Sequence, residues 1–184
     1  MKILILGIGN ILLGDEGIGV QAAMCLRQNL EFIGPHEVDI LDGGTLAHQL
    51  IPTMALYDHL VIIDAIRADD VAPGEVYFFD MDRVPTGVTW KSTVHEVEML
   101  QSLSMMELVG DRPQTFVLGV VPLEITGLSF TLSPAVTAAY GVIERTLTEH
   151  LVGLGMDVRK VQHHPVEKIA DVLRQRWEEN EGVK

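Results

Sequence analysis

Short runs of aliphatic residues alternate along the chain with stretches whose apolar positions recur every three or four residues. Two of the runs, residues 60–63 and 116–121, are apolar almost throughout, as is typical of strands that helices cover on both faces. The alternation predicts an α/β fold, a single three-layer domain in which a twisted, mostly parallel five-stranded sheet has helices on both faces. The predicted strands cover residues 2–6, 37–41, 59–63, 75–79 and 114–121.

Helices are predicted from apolar stripes and from the residues that begin them. The first begins near Asp15, which is the expected N-cap, and the second follows Thr45. The third begins at Thr93, the first residue of a Thr-Val-His-Glu capping box. The fourth begins at Ser133, a side-chain cap followed by a proline. A last amphipathic helix is predicted over residues 166–177.

Length, charge and cysteine content limit the classes of protein. The 184 residues suit one domain, residues 1–184, in which the segment 155–184 has no assigned role. The net charge of −13 argues against a nucleic-acid partner. No apolar run reaches the ~18 residues of a membrane span, and no signal-peptide pattern precedes the first strand. The single cysteine, Cys25, suits a reducing cytoplasm, and its place on the apolar stripe of the first helix predicts a core position.

Polar residues follow several predicted strands, at the edge where open α/β sheets form their sites. Glu16 follows the first strand, Asp42 begins an Asp-Gly-Gly turn after the second, and Asp64 ends the third. A carboxylate at the tip of an apolar strand needs hydrogen-bond donors or a cation. His95 lies in the first turn of the third helix, where the dipole favours the neutral imidazole that binds metals. Glu16, Asp64 and His95 together predict a site for a borderline divalent metal.

Each of these residues also has a purely structural interpretation. Glu16 fits an acid that complements a helix dipole, His95 an interior histidine, and Asp42 a turn former. Gly17 and Gly19 weaken a helix by roughly 1 kcal/mol each relative to alanine, which indicates a close approach to the backbone there. That close approach favours a functional Glu16.

Several other classes of site are tested by spacing. The run HEVEM at His95 lacks the second histidine of a zincin, and the chain has neither a G-x-S-x-G elbow nor a P-loop. The pair His163-His164 is expected on the surface. A dinucleotide-dependent oxidoreductase stays an alternative, because Gly9 ends a partial glycine fingerprint and Asp42 stands where an acid binds ribose. Leu12 occupies the third glycine position of that fingerprint, which argues against it.

The order of these motifs resembles the [NiFe]-hydrogenase maturation endopeptidases. The resemblance covers residues 1 to about 150, and its motifs are Gly7-x-Gly9-Asn10-x-Leu12-x-x-Asp15-Glu16-x-x-Gly19, Asp42-Gly43-Gly44-Thr45, Asp64-Ala65 and His95. It implies a twisted sheet between helices and an enzyme that removes a short C-terminal extension from the precursor of the hydrogenase large subunit. The implied cleavage follows nickel insertion and lies after a basic residue, just past a metal-binding cysteine motif.

The same resemblance assigns roles to the candidate residues. It implies that Glu16, Asp64 and His95 contact nickel, which the precursor supplies, and that the Asp42 loop serves in substrate recognition or in an aspartyl-type or metal-assisted cleavage. The expected protein is a cytoplasmic, monomeric hydrolase whose partner is the precursor. Two alternatives remain: a nickel-sensing protein that binds the precursor without cutting it, and the dinucleotide-dependent oxidoreductase.

Overall fold

The computed structural model describes residues 1–89, 94–123 and 128–181, with the backbone alone for residues 89, 94–96, 176–177 and 180–181. The strands are β1 (Lys2–Ile8), β2 (Leu30–Ile33), β3 (Glu37–Gly44), β4 (His59–Ala65), β5 (Arg67–Ala68), β6 (Val76–Asp80), β7 (Val88–Thr89), β8 (Gln114–Val120) and β9 (Asp157–Lys160). The helices are α1 (Ile18–Asn29), α2 (Ile51–Met54), α3 (Val94–Val109), α4 (Pro134–Gly153) and α5 (Glu167–Glu181), with 3₁₀ helices at Gly14–Gly17, Ala47–Leu50 and Met81–Arg83. Within these residues, no helix has the length and apolar character needed to cross a bilayer.

Five of the strands form the central sheet, in the order β3–β1–β4–β8–β6. Strands β1, β3, β4 and β8 are parallel, and β6 runs antiparallel to β8 at one edge of the sheet. These are the five strands that the sequence pattern predicts, and the bounds differ from the predicted ones by at most three residues. The predicted fold class is confirmed.

Helices on both faces account for the apolar character of the inner strands. Every residue of β4 is buried, as is every residue of β1 except Lys2. Helices α1, α4 and α5 contribute to the core on one face of the sheet, and α2 and α3 contribute to the core on the other. Because neither face of these strands meets water, their sequences show no alternation of apolar and polar residues.

Two helix starts show how far local sequence decides helix bounds. Helix α4 begins after Ser133, whose hydroxyl accepts a hydrogen bond from the Val136 amide, so the predicted cap is confirmed. Helix α1 begins at Ile18 after a glycine and has no side-chain cap. The prediction that Asp15 caps this helix is therefore wrong. The predicted capping box of α3 begins at Thr93, which lies outside the described residues.

The described part of the segment 155–184 is packed into the fold. Strand β9 pairs antiparallel with β2 in a two-stranded ribbon that the sequence pattern does not predict. Helix α5, predicted over residues 166–177, packs against α1 and buries Ile169 and Leu173 in the core on that face. This segment therefore stabilises the helical layer that covers one face of the sheet.

Aromatic and imidazole rings cluster at the edge where the parallel strands begin. His59, the first residue of β4, lies with its Nε2 atom 2.8 Å from Nε2 of His150, near the end of α4. Phe78 and Phe116 stack on each other, and both contact the ring of His150. Burial lowers the pKa of both imidazoles, and the pKa of His150 falls to about 4. One neutral ring therefore donates a hydrogen bond from its N–H group to the nitrogen lone pair of the other ring.

The connection that follows β6 decides where α3 begins. From the end of β6 the chain returns through β7, which pairs with β5 immediately beyond β4. Helix α3 then runs back towards the start of β8. This route brings the first turn of α3, which contains His95, to the edge where the parallel strands end.

Candidate active site

The carboxyl ends of β1, β3 and β4 bring three of the predicted acidic residues to one edge of the sheet. In the register of β1, Gly7 lies beside Asp42 on β3 and beside Ile63 on β4, the residue before Asp64. Glu16 follows in the 3₁₀ helix that packs against β4. Glu16, Asp42 and Asp64 therefore share the edge at which the strand ends predict a site.

Glycines allow the Glu16 turn and the start of α1 to sit directly on the strands. A Cβ atom on Gly19 would lie 2.1 Å from the carbonyl oxygen of Ile63 and 2.2 Å from that of Ile8. A Cβ atom on Gly17 would lie 2.9 Å from the backbone of the preceding loop. The close approach that these two glycines indicate is thus made by the chain itself. It explains the glycines without any ligand, and the inference from them to a functional Glu16 does not hold.

Asp15 links the Glu16 turn to the far end of the sequence. Its side chain is 1% exposed. The Oδ1 atom accepts a hydrogen bond from the Ser133 amide at 2.6 Å. The Oδ2 atom accepts one from the Ser133 hydroxyl at 2.7 Å and one from the Leu123 amide at 2.9 Å. Three donors satisfy this buried carboxylate, as its burial requires. Asp15 therefore joins the turn after β1 to the loop after β8 and to the first turn of α4.

Glu16 and Asp64 have different environments at the shared edge. The Glu16 side chain is half-buried, and among the described residues no hydrogen bond or ion pair engages its carboxylate. Asp64 is buried, and its Oδ1 atom accepts a hydrogen bond from the Ala65 amide at 2.8 Å. The Asp64 carboxylate is therefore bound by a donor of the protein, whereas the Glu16 carboxylate is open to a cationic partner.

The third predicted metal ligand, His95, is the second residue of α3. Its side chain lies outside the described part of the structure. Within the described residues, no three His, Cys, Asp or Glu side chains group closely enough to hold a metal ion. The predicted set of Glu16, Asp64 and His95 stays a prediction, and two carboxylates with one imidazole are a donor set that suits nickel.

Asp42 occupies the turn at the end of β3. Its Oδ1 atom accepts a hydrogen bond from the Gly44 amide at 2.9 Å, which is the turn-forming role expected of such a residue. Gly44 has a φ of +55°, a conformation that glycine adopts without strain. The Asp42 side chain is otherwise exposed, and no described residue forms an ion pair with it. Asp42 is thus available to a substrate beside the Glu16 turn.

Cys25 and the histidine pair lie away from this edge. Cys25 is buried on α1, as predicted, and its thiol donates a hydrogen bond to the His164 carbonyl at 3.2 Å. Burial raises the pKa of this thiol, so it is a core group and a poor nucleophile. His163 is exposed as expected, whereas His164 is half-buried. The backbone of His164 exchanges hydrogen bonds of 2.8 and 2.9 Å with the side chain of Asn29.

The sequence pattern does not predict that the loop after β8, which contains Ser129 and Ser133, packs against the Glu16 turn. We call this part of the loop the wall of the site. Leu13 pairs with Ser129 in an isolated bridge, and the Gly14 amide donates to the Ser129 carbonyl at 2.6 Å. Ser133 is recognisable as a helix cap, but nothing near it in sequence points to Asp15, 118 positions away. The wall consists of ordinary loop residues, and only the fold brings them to the site.

Comparison with known proteins identifies similar chains. Residues 20–150 match the sequence profile of a family described as hydrogenase maturation protease. Protein HydD of Wolinella succinogenes is 43% identical over 146 residues, which are 79% of this chain and 92% of HydD. Hydrogenase 2 maturation protease of Escherichia coli K12 is 40% identical over 155 residues, which are 84% of this chain and 91% of that protein.

A solved structure shows the same fold. The hydrogenase maturating endopeptidase HybD from E. coli superposes with a TM-score of 0.77 at 33% sequence identity, covering 88% of this chain and 98% of HybD. The stretch that matches the family profile contains Asp42, Asp64 and His95, and it begins four residues after Glu16.

Proposed function

The chain belongs to the hydrogenase maturation protease family, and we propose that it removes the C-terminal extension of a [NiFe]-hydrogenase large-subunit precursor once nickel has been inserted. As a member of this family it is a hydrolase that cleaves peptide bonds. The observation that carries the proposal is the convergence of Glu16, Asp42 and Asp64 on the edge where α3 begins.

The proposed substrate brings its own nickel ion, and three residues of the protease would contact it. Glu16 and Asp64 would offer carboxylate oxygens, and His95 an imidazole nitrogen. A nickel ion held by these residues would supply positive charge that polarises the peptide carbonyl. Without nickel, Glu16 and Asp64 have no metal ion to bind in the precursor. Cleavage thereby becomes conditional on loading of the precursor.

Asp42 is the proposed group that takes a proton from the attacking water. One of its carboxylate oxygens accepts a hydrogen bond from the Gly44 amide. Because the side chain is exposed, the other carboxylate oxygen is open to water. A general base must reach the water that it activates, and the position beside the Glu16 turn suits that task. In the alternative arrangement, nickel activates the water and Asp42 only orients the peptide. Asp42→Asn separates the two: it abolishes turnover in the first case and mainly raises KM in the second.

Mass spectrometry of the precursor tests the proposed function. We expect the purified protein to release a C-terminal peptide from nickel-loaded precursor and to leave nickel-free precursor intact. Asp64→Asn and His95→Ala should stop release while circular dichroism shows that the fold is kept. Loaded precursor that binds but keeps its mass would contradict cleavage and support the nickel-sensing binding protein. Binding of NAD in a calorimetric titration would support the dinucleotide alternative.

We further propose that the reaction takes place in the cytoplasm and that the protease acts as a monomer. The lone buried Cys25 supports a reducing compartment. An open edge at the strand ends supports a monomer, because a folded precursor must reach it. Size-exclusion chromatography with light scattering, and fractionation of cells that produce the protein, test the two statements.

A further inference from the structure

Large apolar side chains are exposed in the loops that surround Glu16 and Asp64. They belong to four leucines from three separate loops, and all lie at the edge where the parallel strands end. We call them the leucine rim. Its members and their exposed fractions are Leu13 (36%), Leu46 (47%), Leu123 (46%) and Leu128 (82%).

Backbone hydrogen bonds hold this leucine rim around the Glu16 turn. Leu13 pairs with Ser129, the residue after Leu128, and the Leu123 amide donates to Asp15. On the other side, the loop that leads to Leu46 is held by a hydrogen bond of 3.0 Å from the Gly9 amide to the Gly44 carbonyl. The rim positions are therefore set by the main chain. The Leu128 side chain is mostly in water, and the other three leucines keep roughly 36–47% of their surface exposed.

A single exposed leucine needs no explanation, but exposed apolar side chains gathered around a polar centre mark an interaction site. The centre of this rim is acidic. Within the described part of the chain, neither Glu16 nor Asp42 forms an ion pair with a protein cation. The complementary partner is therefore a peptide segment with a basic side chain flanked by apolar ones.

We propose that the leucine rim docks the segment of the precursor that carries the cleaved bond, a segment in which apolar side chains flank a basic residue. This inference rests on the proposed function, and it adds an apolar component to nickel-dependent recognition. The acids hold the cation and the basic side chain, and Leu123 and Leu128 bury apolar side chains of the segment. Because these contacts exist before and during cleavage, they lower KM and leave kcat almost unchanged.

Neutral polar substitutions test the rim without altering its charge. Leu123→Ser and Leu128→Ser should each raise KM for nickel-loaded precursor roughly tenfold at near wild-type kcat. Leu128→Met, which keeps an apolar side chain, should restore the wild-type KM. Leu56→Ser is the matched control, because Leu56 is 68% exposed in a turn beyond the opposite edge of the sheet. Its KM should not change. Leu128 and Leu56 are mostly exposed, so their variants should melt near the wild-type Tm. Leu123 is 46% exposed, so Leu123→Ser should lower Tm slightly, and its KM is measured well below that Tm.

Binding of the precursor, measured separately by calorimetry, distinguishes failure of this inference from failure of the proposed function. If the wild-type protein cleaves the precursor and Leu123→Ser and Leu128→Ser have the wild-type KM, the rim does not dock the substrate. An equal rise in KM for Leu56→Ser also overturns the inference, because the effect is then not specific to the rim. If the wild-type protein binds the precursor without cleaving it, only the proposed function fails, and weaker binding by the rim variants still supports docking.

Discussion

Asp15→Asn is the substitution that best tests how the site is held together. The carboxylate of Asp15 accepts three hydrogen bonds, with the Ser133 amide on one oxygen and the Ser133 hydroxyl and Leu123 amide on the other. An asparagine has one oxygen and one NH₂ group. In either orientation of the amide, the NH₂ group faces a backbone N–H group, so one backbone donor that is buried or partly buried loses its acceptor.

The expected loss follows from the energies of these bonds. A buried donor left without a partner costs about 1–3 kcal/mol, and the remaining bonds become weaker by about 0.5–1 kcal/mol each because the acceptor is no longer charged. Relief of the desolvation cost of a buried charge offsets part of this loss. We therefore expect the free energy of unfolding to fall by about 2–4 kcal/mol. For a domain of this size, that lowers Tm by roughly 4–16 °C.

The assay is thermal and urea denaturation, which measures the stability of Asp15→Asn and of Glu16→Gln as its control. Both variants exchange an acid for its amide at neighbouring positions. No described residue forms a hydrogen bond or ion pair with the Glu16 carboxylate, so Glu16→Gln should change stability by less than about 0.5 kcal/mol. In precursor processing, Glu16→Gln should still lose activity, because the amide lacks the charge and basicity of a nickel ligand. Asp15→Asn should lose both stability and activity.

Two results would refute this reasoning. A Tm for Asp15→Asn within about 1 °C of the wild-type value would mean that the hydrogen bonds to Leu123 and Ser133 contribute no net stability. Wild-type processing by Asp15→Asn at a temperature well below its Tm would mean that the link does not position Glu16. The double variant with Ser133→Ala adds a check, since two residues that share hydrogen bonds should show non-additive losses.

Three further predictions concern the rest of the fold. Gly19→Ala should lower Tm strongly, because its Cβ atom would lie 2.1 Å from a strand carbonyl oxygen, and a wild-type Tm would contradict this packing. Gly141→Ala is the control, because Gly141 has open space around it on α4. This substitution should raise the free energy of unfolding by about 0.5–1 kcal/mol. Burial and neighbouring His59 lower the pKa of His150 from its ordinary 6.5 to about 4, so the neutral ring contributes stability that is fully present above pH 6.5 and lost as the pH falls towards 4. Urea denaturation between pH 7.5 and 4.5 should show an acid-induced loss smaller by roughly 1–2 kcal/mol in His150→Phe, because the half-buried ring is partly screened by solvent, and equal losses would contradict this sign. Ile169→Ala should cost about 2–4 kcal/mol in urea denaturation, and an unchanged midpoint would place α5 outside the cooperative unit.

The central sheet is predictable from sequence because its strands are buried on both faces. An apolar run such as residues 60–63 is too short for a buried helix, so between helical patterns it is interpreted as a buried strand. The ribbon of β2 and β9 is not predictable in the same way. Both strands have four residues, β9 carries three charged side chains, and their partners lie more than a hundred positions apart. Pairing of this kind depends on the docking of α4 and α5, not on a local pattern.

The same contrast holds at the candidate site. Glu16, Asp42 and Asp64 are predictable because they follow strands whose ends must meet at one edge. The role of Asp15 is not predictable, since a carboxylate before a helix fits an N-cap and its actual donors come from distant loops. Sequence patterns therefore locate the residues at the strand ends, but they do not reveal the contacts that hold those residues in place.

The link from Asp15 to Leu123 and Ser133 has a consequence for the order of events on the ribosome. The donors that fix this turn lie 108 and 118 residues after Asp15, so the ribosome synthesises the acidic residues of the turn long before their partners. Domains generally fold as units as their chains emerge, and contacts between distant residues must wait for the later partner. A nascent or prematurely terminated chain therefore carries the acidic residues without an assembled site. Proteolytic competence is thus expected only after Ser133 has left the ribosome and has joined the turn at Asp15.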